Sequence, residues 1–361
     1  MAFSEKNLIS LVKVAMDNRA SDIHLRTDET PCLRIRGEMI PVQTKSFSIE
    51  DLKDISQILF KNAALSARLD QIQEQDGGHD IPELCRLRYN FYRYNGKIGI
   101  ILRIVLNQIP TIDQLGLKPV IKKISETHRG LILVTGATGS GKSTTLAAMI
   151  NHINEVRASH IVTIEDPIEY IHPQKKSRIS QREIGSDTEG FSLGLRAALR
   201  QDPDIILIGE MRDPETIAIA LKAAETGHLV LSTVHTTNAL NTIGRIISMF
   251  PKEEQDYVRK RLADNLYATI SQRMLRSTQK SVVIAQEIMI TNPGIKECIS
   301  GEEPTSRIPT IIAQGKNKSG VGSQTFDQHI MELYNEGLIT KETALSAVSS
   351  ESDFLQNLLV E

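Results

Sequence analysis

The stretch Gly136-Ala-Thr-Gly-Ser-Gly141-Lys142-Ser143 constrains the fold more than any other part of the chain. It satisfies G-x-x-x-x-G-K-[ST] at every specified position. An apolar run, 131–135, precedes it, and a helical pattern, 144–153, follows. A strand that turns through glycines into a helix aims backbone N–H groups at one spot, and the helix dipole makes that spot favour an anion. The spacing predicts a phosphate-binding loop built from Gly136, Ala137, Thr138, Gly139, Ser140, Gly141 and Thr144. In it Lys142 reaches the β- and γ-phosphates of a nucleotide and Ser143 ligates Mg2+.

From Gly130 onward, apolar runs at 131–135, 161–164, 205–208 and 229–234 alternate with longer helical stretches. Uninterrupted apolar strands separated by helices predict a parallel sheet covered on both faces. In such sheets polar chemistry collects at the C-terminal strand tips. Glu165, in Thr163-Ile-Glu165-Asp166-Pro-Ile-Glu169, is placed to orient an attacking water. The same acidic run also reads as a solvated helix start capped by Asp166. Glu210 closes Asp202-Pro-Asp204-Ile-Ile-Leu-Ile-Gly209-Glu210 and would sit beside Mg2+ through water. His235 ends the last run, where it is positioned to sense a γ-phosphate, and His228 opens that run. A lone histidine serves equally as a structural residue.

The N-terminal part has a different texture. Leu8, Leu11, Val12 and Ala15 share one helical face. Short alternating runs between Ile23 and Val42 read as strands, and a second helix starts near Ser48. There Ser48 with Asp51 forms a capping-box pattern and Phe47 is placed to staple onto Leu52. Asn95-Gly96 between two alternating runs is a hairpin signal. A two-residue turn sets Tyr94 opposite Lys97 and assigns Leu87, Tyr89, Phe91, Ile98, Ile100, Leu102 and Ile104 to a core face. In that register Arg88 lies opposite Arg103, which is unfavourable unless an anion is near or both side chains splay into water. Residues 109–129, with Pro110, Gly116 and Pro119, read as an interdomain connection and a hinge near 109–117. The end of the chain, with Phe326, Ile330, Leu333 and Tyr334, reads as a small helical appendix.

Composition removes several function classes. The length of 361 residues suits two domains. Lysine plus arginine is 42 against 44 acidic residues, so bulk electrostatic binding of nucleic acid is not expected. Tryptophan is absent and aromatics are 4%, which gives bases little to stack on. The small cluster Lys175, Lys176 and Arg178 reads as a solvated loop. Cys32, Cys85 and Cys298 stand singly, which argues against a disulfide framework or a thiolate zinc site and fits a reducing cytoplasm. The charged N-terminus is not a signal peptide, and no apolar stretch approaches a transmembrane length, so membrane association would be peripheral.

Jointly, Ala20-Ser-Asp-Ile-His24, the two acidic runs, Ala224-Glu-Thr-Gly-His228 and Val234-His-Thr-Thr237 resemble the type II/IV secretion ATPases. Within these the chain looks like the PilT-like type IV pilus retraction motors, over nearly its whole length. The resemblance implies an α/β fold: a PAS-like α+β domain at 1–109, a linker at 110–129, a RecA-like P-loop ATPase domain at 130–295 and a helical region at 296–361. It implies ATP hydrolysis with Mg2+ in a homo-hexameric ring, cytoplasmic but held peripherally at the inner membrane by a platform protein. Glu165 takes the catalytic glutamate position, Glu210 the Walker B glutamate, and His228 with His235 the His box. Arg88, in Arg86-Leu-Arg88-Tyr-Asn90, takes an arginine-finger position and Arg103 the second, the pair that the hairpin register also opposes.

The retraction-linked motif A-I-R-N-L-I stands here as Gly294-Ile-Lys-Glu-Cys-Ile299. That departure bears on coupling to retraction rather than on hydrolysis. Residues 324–328 and 349–353 are reminiscent of PilU-like accessory proteins, whereas Val234-His-Thr-Thr237 is PilT-like. Pilus-extension relatives are longer and carry paired C-x-x-C motifs absent here. The rival readings are a type II or type IV secretion motor, a nucleotide-switched accessory protein that turns over poorly, and a DNA-acting RecA-type protein.

Overall fold

The computed structural model describes residues 3–35, 37–60, 63–82, 84–106, 109–279, 282–316 and 322–360. Two compact units emerge: Met1–Gln108 with Pro167–Ile171, and Ile109–Asp166 with His172–Glu361.

In the first unit six strands form one antiparallel sheet: β1 (Asp22–Arg26), β2 (Cys32–Ile35), β3 (Glu38–Pro41), β4 (Glu74–Ile81), β5 (Cys85–Tyr94) and β6 (Lys97–Leu106), in the order β3-β2-β1-β6-β5-β4. The β5–β6 hairpin has the expected register, Tyr94 opposite Lys97 and Arg88 opposite Arg103. At its tip Asn95 and Gly96 both take positive φ, 46° and 74°, the handedness of the turn that fits strand twist. Leu87, Phe91, Ile100 and Leu102 are fully buried beneath the helices Glu5–Asp17 and Ile49–Phe60, whose Leu8, Val12, Leu52, Ile55 and Leu59 complete that core. Ser48 and Asp51 bond reciprocally at the start of the second helix.

The second unit holds a seven-stranded sheet: β7 (Gly130–Gly136), β8 (His160–Glu165), β9 (Arg178–Glu183), β10 (Ile205–Ile208), β11 (Leu229–Val234), β12 (Leu266–Arg276) and β13 (Val282–Ile290). The order is β13-β12-β7-β11-β10-β8-β9, parallel except for β13. Both faces are covered. On β7, Leu131 and Leu133 enter one apolar layer and Ile132 and Val134 the other. On β10, Ile206 and Ile208 split from Ile205 and Leu207 in the same way. Helix Lys142–Val156 covers one face; Phe191–Ala198, Pro214–Glu225 and Ala239–Ser248 cover the other.

Two features differ from the sequence reading. The stretch 110–129 is folded into the second unit: it carries the helix Val120–Ser125, and Ile112, Leu117, Ile121 and Ile124 are buried against Met149 and Ile153. A hinge at 109–117 would have to pull Ile112 and Leu117 out of that layer. Strands β9, β12 and β13 were not foreseen. β9 is a polar edge strand with no apolar run, and β12 follows the helix Lys252–Asn265 without a turn signal. The C-terminal helices divide: Pro293–Ser300 and Ile308–Gly315 join the main core, whereas Phe326–Asn335, Lys341–Ala347 and Glu351–Val360 form a small cluster against Ala285 of β13.

Candidate functional site

Because β7, β11, β10 and β8 are neighbours and parallel, their C-terminal tips line one edge of the sheet. Gly136, His235, Glu210 and Glu165 stand at or just beyond those tips. The phosphate loop leaves β7 at Gly136, with φ 148°, and passes Gly139 and Gly141, at φ 80° and 88°, into the helix Lys142–Val156. A Cβ on Gly136 would lie 2.4 Å from Ser140 Oγ and 2.6 Å from the Gln272 carbonyl oxygen, so the loop closes this tightly only around glycine. Lys142 is 8% exposed and its Nζ donates to the carbonyls of Gly136 and Ala137 at 3.0 and 2.9 Å. These bonds hold the ammonium across its own loop. The first N–H groups of a helix lack intrahelical acceptors, and the buried Ser140 hydroxyl has no partner among the described residues. Donors, a cation and a glycine cradle together suit a polyphosphate.

Glu210 follows β10 on a segment stitched to both neighbours. Gly209 N donates to Ile164 O at 2.8 Å, Met211 N donates to Thr233 O at 3.1 Å, and Thr233 Oγ1 donates to Gly209 O at 2.7 Å. The Glu210 carboxylate pairs with Arg212 at 2.5 Å and lies 3.5 Å from His235 Nε2. Burial, then the Lys142 charge, holds the His235 imidazole below its ordinary value against the opposing pull of Glu210. The imidazole thus stands beside a carboxylate, where it can exchange hydrogen bonds with a group held at this edge.

Glu165 ends β8. Thr163 Oγ1 donates to its Oε1 at 2.7 Å, and Gln181 Nε2 of β9 donates to the same oxygen at 3.1 Å. Gln181 Oε1 accepts the His172 N–H at 2.8 Å, which fixes which end of that amide faces Glu165. The carboxylate is thus oriented by two donors. This favours the water-orienting reading over a solvated helix start, and 166–177 form no helix.

His228 does not join this group. It precedes β11, about 20 Å from the loop edge at ~3.3 Å per strand residue. Its Nδ1 lies 2.9 Å from Ala223 O and 3.2 Å from Thr226 Oγ1, finishing the helix Pro214–Glu225. In this chain it is a helix-end residue.

The opposed arginines belong to the first unit, and each has a carboxylate there. Arg88 Nη1 lies 3.2 Å from Glu169 Oε1, and Arg103 Nε lies 2.8 Å from Asp22 Oδ1. Asp22 is only 4% exposed. Burial pushes its carboxyl up, but bonds from Ser21 and Arg103 prevail and leave it below the usual value. The like-charge opposition is relieved by the chain's own acids.

Comparison with known proteins places this architecture. The profile of the type II/IV secretion system protein family matches residues 1–352. This chain belongs to that family. The type IV pilus retraction ATPase PilT of Pseudomonas aeruginosa is 39% identical over 350 residues, covering 96% of this chain and 100% of the relative. The type IV pilus ATPase PilU of the same organism is 34% identical, covering 95% of this chain and 89% of the relative. The crystal structure of the pilus retraction motor PilT with bound ADP superposes with a TM-score of 0.87 at 38% identity, covering 96% of this chain and 98% of that one. The secretion-family chain is accordingly a nucleotide-binding ATPase with an α/β core.

Sequence reasoning missed the partners of these residues: Gln181, Arg212 and Gln272 in the second unit, and Glu169, which pairs with Arg88, in the first. Thr163 was legible, since i and i+2 share a strand face. Gln181 and Gln272 were not, because each acts from a strand far away in sequence.

Proposed function

We propose that this chain is an Mg2+-dependent ATPase motor for type IV pilus retraction, working as a homo-hexameric ring on an inner-membrane platform protein from the cytoplasmic side. The observation that carries the reading is the line of strand tips. A Walker loop with its lysine, an oriented glutamate and a histidine–glutamate pair share one sheet edge.

The chemistry follows from those groups. Lys142 and the N–H groups of the loop bind the β- and γ-phosphates. Glu165, oriented by Thr163 and Gln181, aligns water for in-line attack and takes up its proton. Ser143 and Glu210 would hold Mg2+, which when bound neutralises charge on the phosphates. His235 registers the γ-phosphate and passes its loss to Glu210 and Arg212. Arg88 and Arg103 act as arginine fingers, exchanging Glu169 and Asp22 for the transferring phosphoryl group. Among the described residues no helix is long and apolar enough to cross a membrane.

The identity to PilT exceeds that to PilU, which favours the motor over the accessory reading. A DNA-acting role gains nothing from Lys175, whose ammonium is tied to Glu155 and Asn151 at 2.6 and 2.8 Å. The deciding experiment is phosphate release by Lys142→Ala in the full chain. Turnover falls to background if the loop is the site; parent turnover refutes it. Deletion in the cell gives hyperpiliated, non-twitching cells if the motor retracts, and bald cells if it does not.

A further inference from the structure

β12 lies beside β7, and its Gln272 is paired in register with Gly136, the first residue of the phosphate loop. The Gln272 carbonyl oxygen closes the space beside Gly136. One residue earlier, Ser271 Oγ accepts from Thr135 Oγ1 at 2.9 Å. The Gln272 side chain is 1% exposed and reaches the other end of the loop. Its Nε2 donates to Thr145 Oγ1 at 2.8 Å, and Thr145 is fully buried in the helix that the loop becomes. The Thr145 N–H in turn bonds Gly141 O at 2.9 Å and closes the first helical turn. One residue on a neighbouring strand therefore holds both the strand that ends in the loop and the helix that begins from it.

A glutamine is a costly choice here. Its Oε1 is buried without a partner among the described residues, so the amide's polar engagement is the single bond to Thr145. An apolar side chain of similar volume would avoid that desolvation. On the opposite side Gln286 of β13 faces Gln272, and Gln286 is itself fixed: its N–H donates to His329 Nδ1 at 2.9 Å, and its Oε1 accepts Lys118 N–H at 3.0 Å. The clamp is thus braced from behind.

We propose that Gln272 is a positioning residue for the phosphate loop, fixing through Thr145 the spacing between strand end and helix start that a bound polyphosphate requires. The inference rests on the nucleotide-site reading above and deepens it. A clamp of this kind acts alike on bound ground state and transition state, so it is expressed in KM and in ADP affinity and not in kcat.

The test uses the full chain with Gln272→Leu, Gln272→Met, Thr145→Val and the double variant Gln272→Leu/Thr145→Val. ADP affinity, ATP KM, kcat and the nucleotide-free thermal midpoint are measured. Gln272→Leu is expected to weaken ADP binding and raise KM about tenfold, because apparent affinity falls with the fraction of loops held at the binding spacing. Its kcat stays within about threefold and its nucleotide-free midpoint does not fall. Gln272→Met gives the same pattern should leucine pack badly. Thr145→Val reproduces it, and the double variant is no worse than either single. Parent KM and ADP affinity in either Gln272 variant overturn the clamp, as do additive effects in the double. Lys142→Ala separates the two readings. If it loses ADP while the Gln272 variants keep it, only the clamp fails; if it binds ADP like the parent, the site reading fails as well.

Discussion

The two sheets place charge by opposite means. The antiparallel sheet of the first unit leaves one face polar, so its arginines stand along that face and find carboxylates beside it: Arg86 with Asp80, Arg88 with Glu169, Arg103 with Asp22. In the second unit the central strands of the sheet, β7 and β10, send apolar side chains to both faces. Glu165, Glu210 and His235 stand at or just beyond strand tips, on the edge that carries the glycine loop. Charge in the first sheet is distributed in separate pairs, with Asp70 taking both Arg93 and Lys53. In the second it is concentrated, and two neighbours, Arg212 and His235, share the one carboxylate of Glu210.

The largest expected effect separates the two arginines that the hairpin sets side by side. The Arg88–Glu169 pair is partly exposed, so Arg88→Ala alters stability by less than about 1 kcal/mol. As a finger its loss lowers kcat ~10³-fold. Arg103→Ala also leaves the buried Asp22 carboxylate with Ser21 but without its cation, and costs on the order of 1–2 kcal/mol besides any kinetic loss. Urea unfolding and steady-state phosphate release on both variants decide this. Parent kcat in Arg88→Ala would reduce that arginine to an ordinary surface pair.

The same contrast explains what could be read from residues alone. Period-two alternation around Asn95-Gly96 fixed the hairpin and its arginine opposition, because one buried face leaves a single register possible. Continuous apolar runs marked β7, β8, β10 and β11, and the glycine motif placed the loop on β7. Nothing local marked β9 or β12, since Arg178–Glu183 is polar and Leu266–Arg276 mixes apolar with polar residues. Those two strands supply Gln181, which bonds Glu165, and Gln272, which bonds Thr145, so both side chains lay beyond a local reading. The 110–129 stretch misled for a related reason. Its prolines and glycine look like a linker, yet Ile112, Leu117, Ile121 and Ile124 are spaced to cover one end of the sheet.

An intermediate effect follows from buried histidines of the second unit. Burial, then the charge of Lys118, lowers His329 to about 4, and burial with Lys175 lowers His172 to about 4. Both stay neutral in the folded state, whereas an unfolded imidazole takes a proton near pH 6.5. The unfolded chain therefore binds more protons between pH ~6.5 and ~4, and stability falls as pH drops through that window. Each histidine contributes a loss on the order of 2–3 kcal/mol by pH ~4.5. His329→Gln keeps an acceptor for the Gln286 N–H but cannot titrate. Denaturant midpoints at neutral and acid pH should lie closer together in this variant by roughly that amount; an unchanged pH profile would sink the assignment.

The smallest effect probes whether the first unit's fold can be weakened without touching the loop. Ser48 Oγ accepts the Asp51 N–H at 3.1 Å, and the Asp51 carboxylate accepts the Ser48 N–H at 2.9 Å, so the helix Ile49–Phe60 begins on a reciprocal cap. That helix buries Leu52, Ile55 and Leu59 against the β5–β6 hairpin. Ser48→Ala removes one acceptor and should cost about 1 kcal/mol, read as a lower thermal midpoint. No charged group of either sheet depends on this cap, so KM for ATP should stay at the parent value. A raised KM in Ser48→Ala would mean that the helix over the hairpin governs the nucleotide loop, and the separation drawn between paired and concentrated charge would have to be given up.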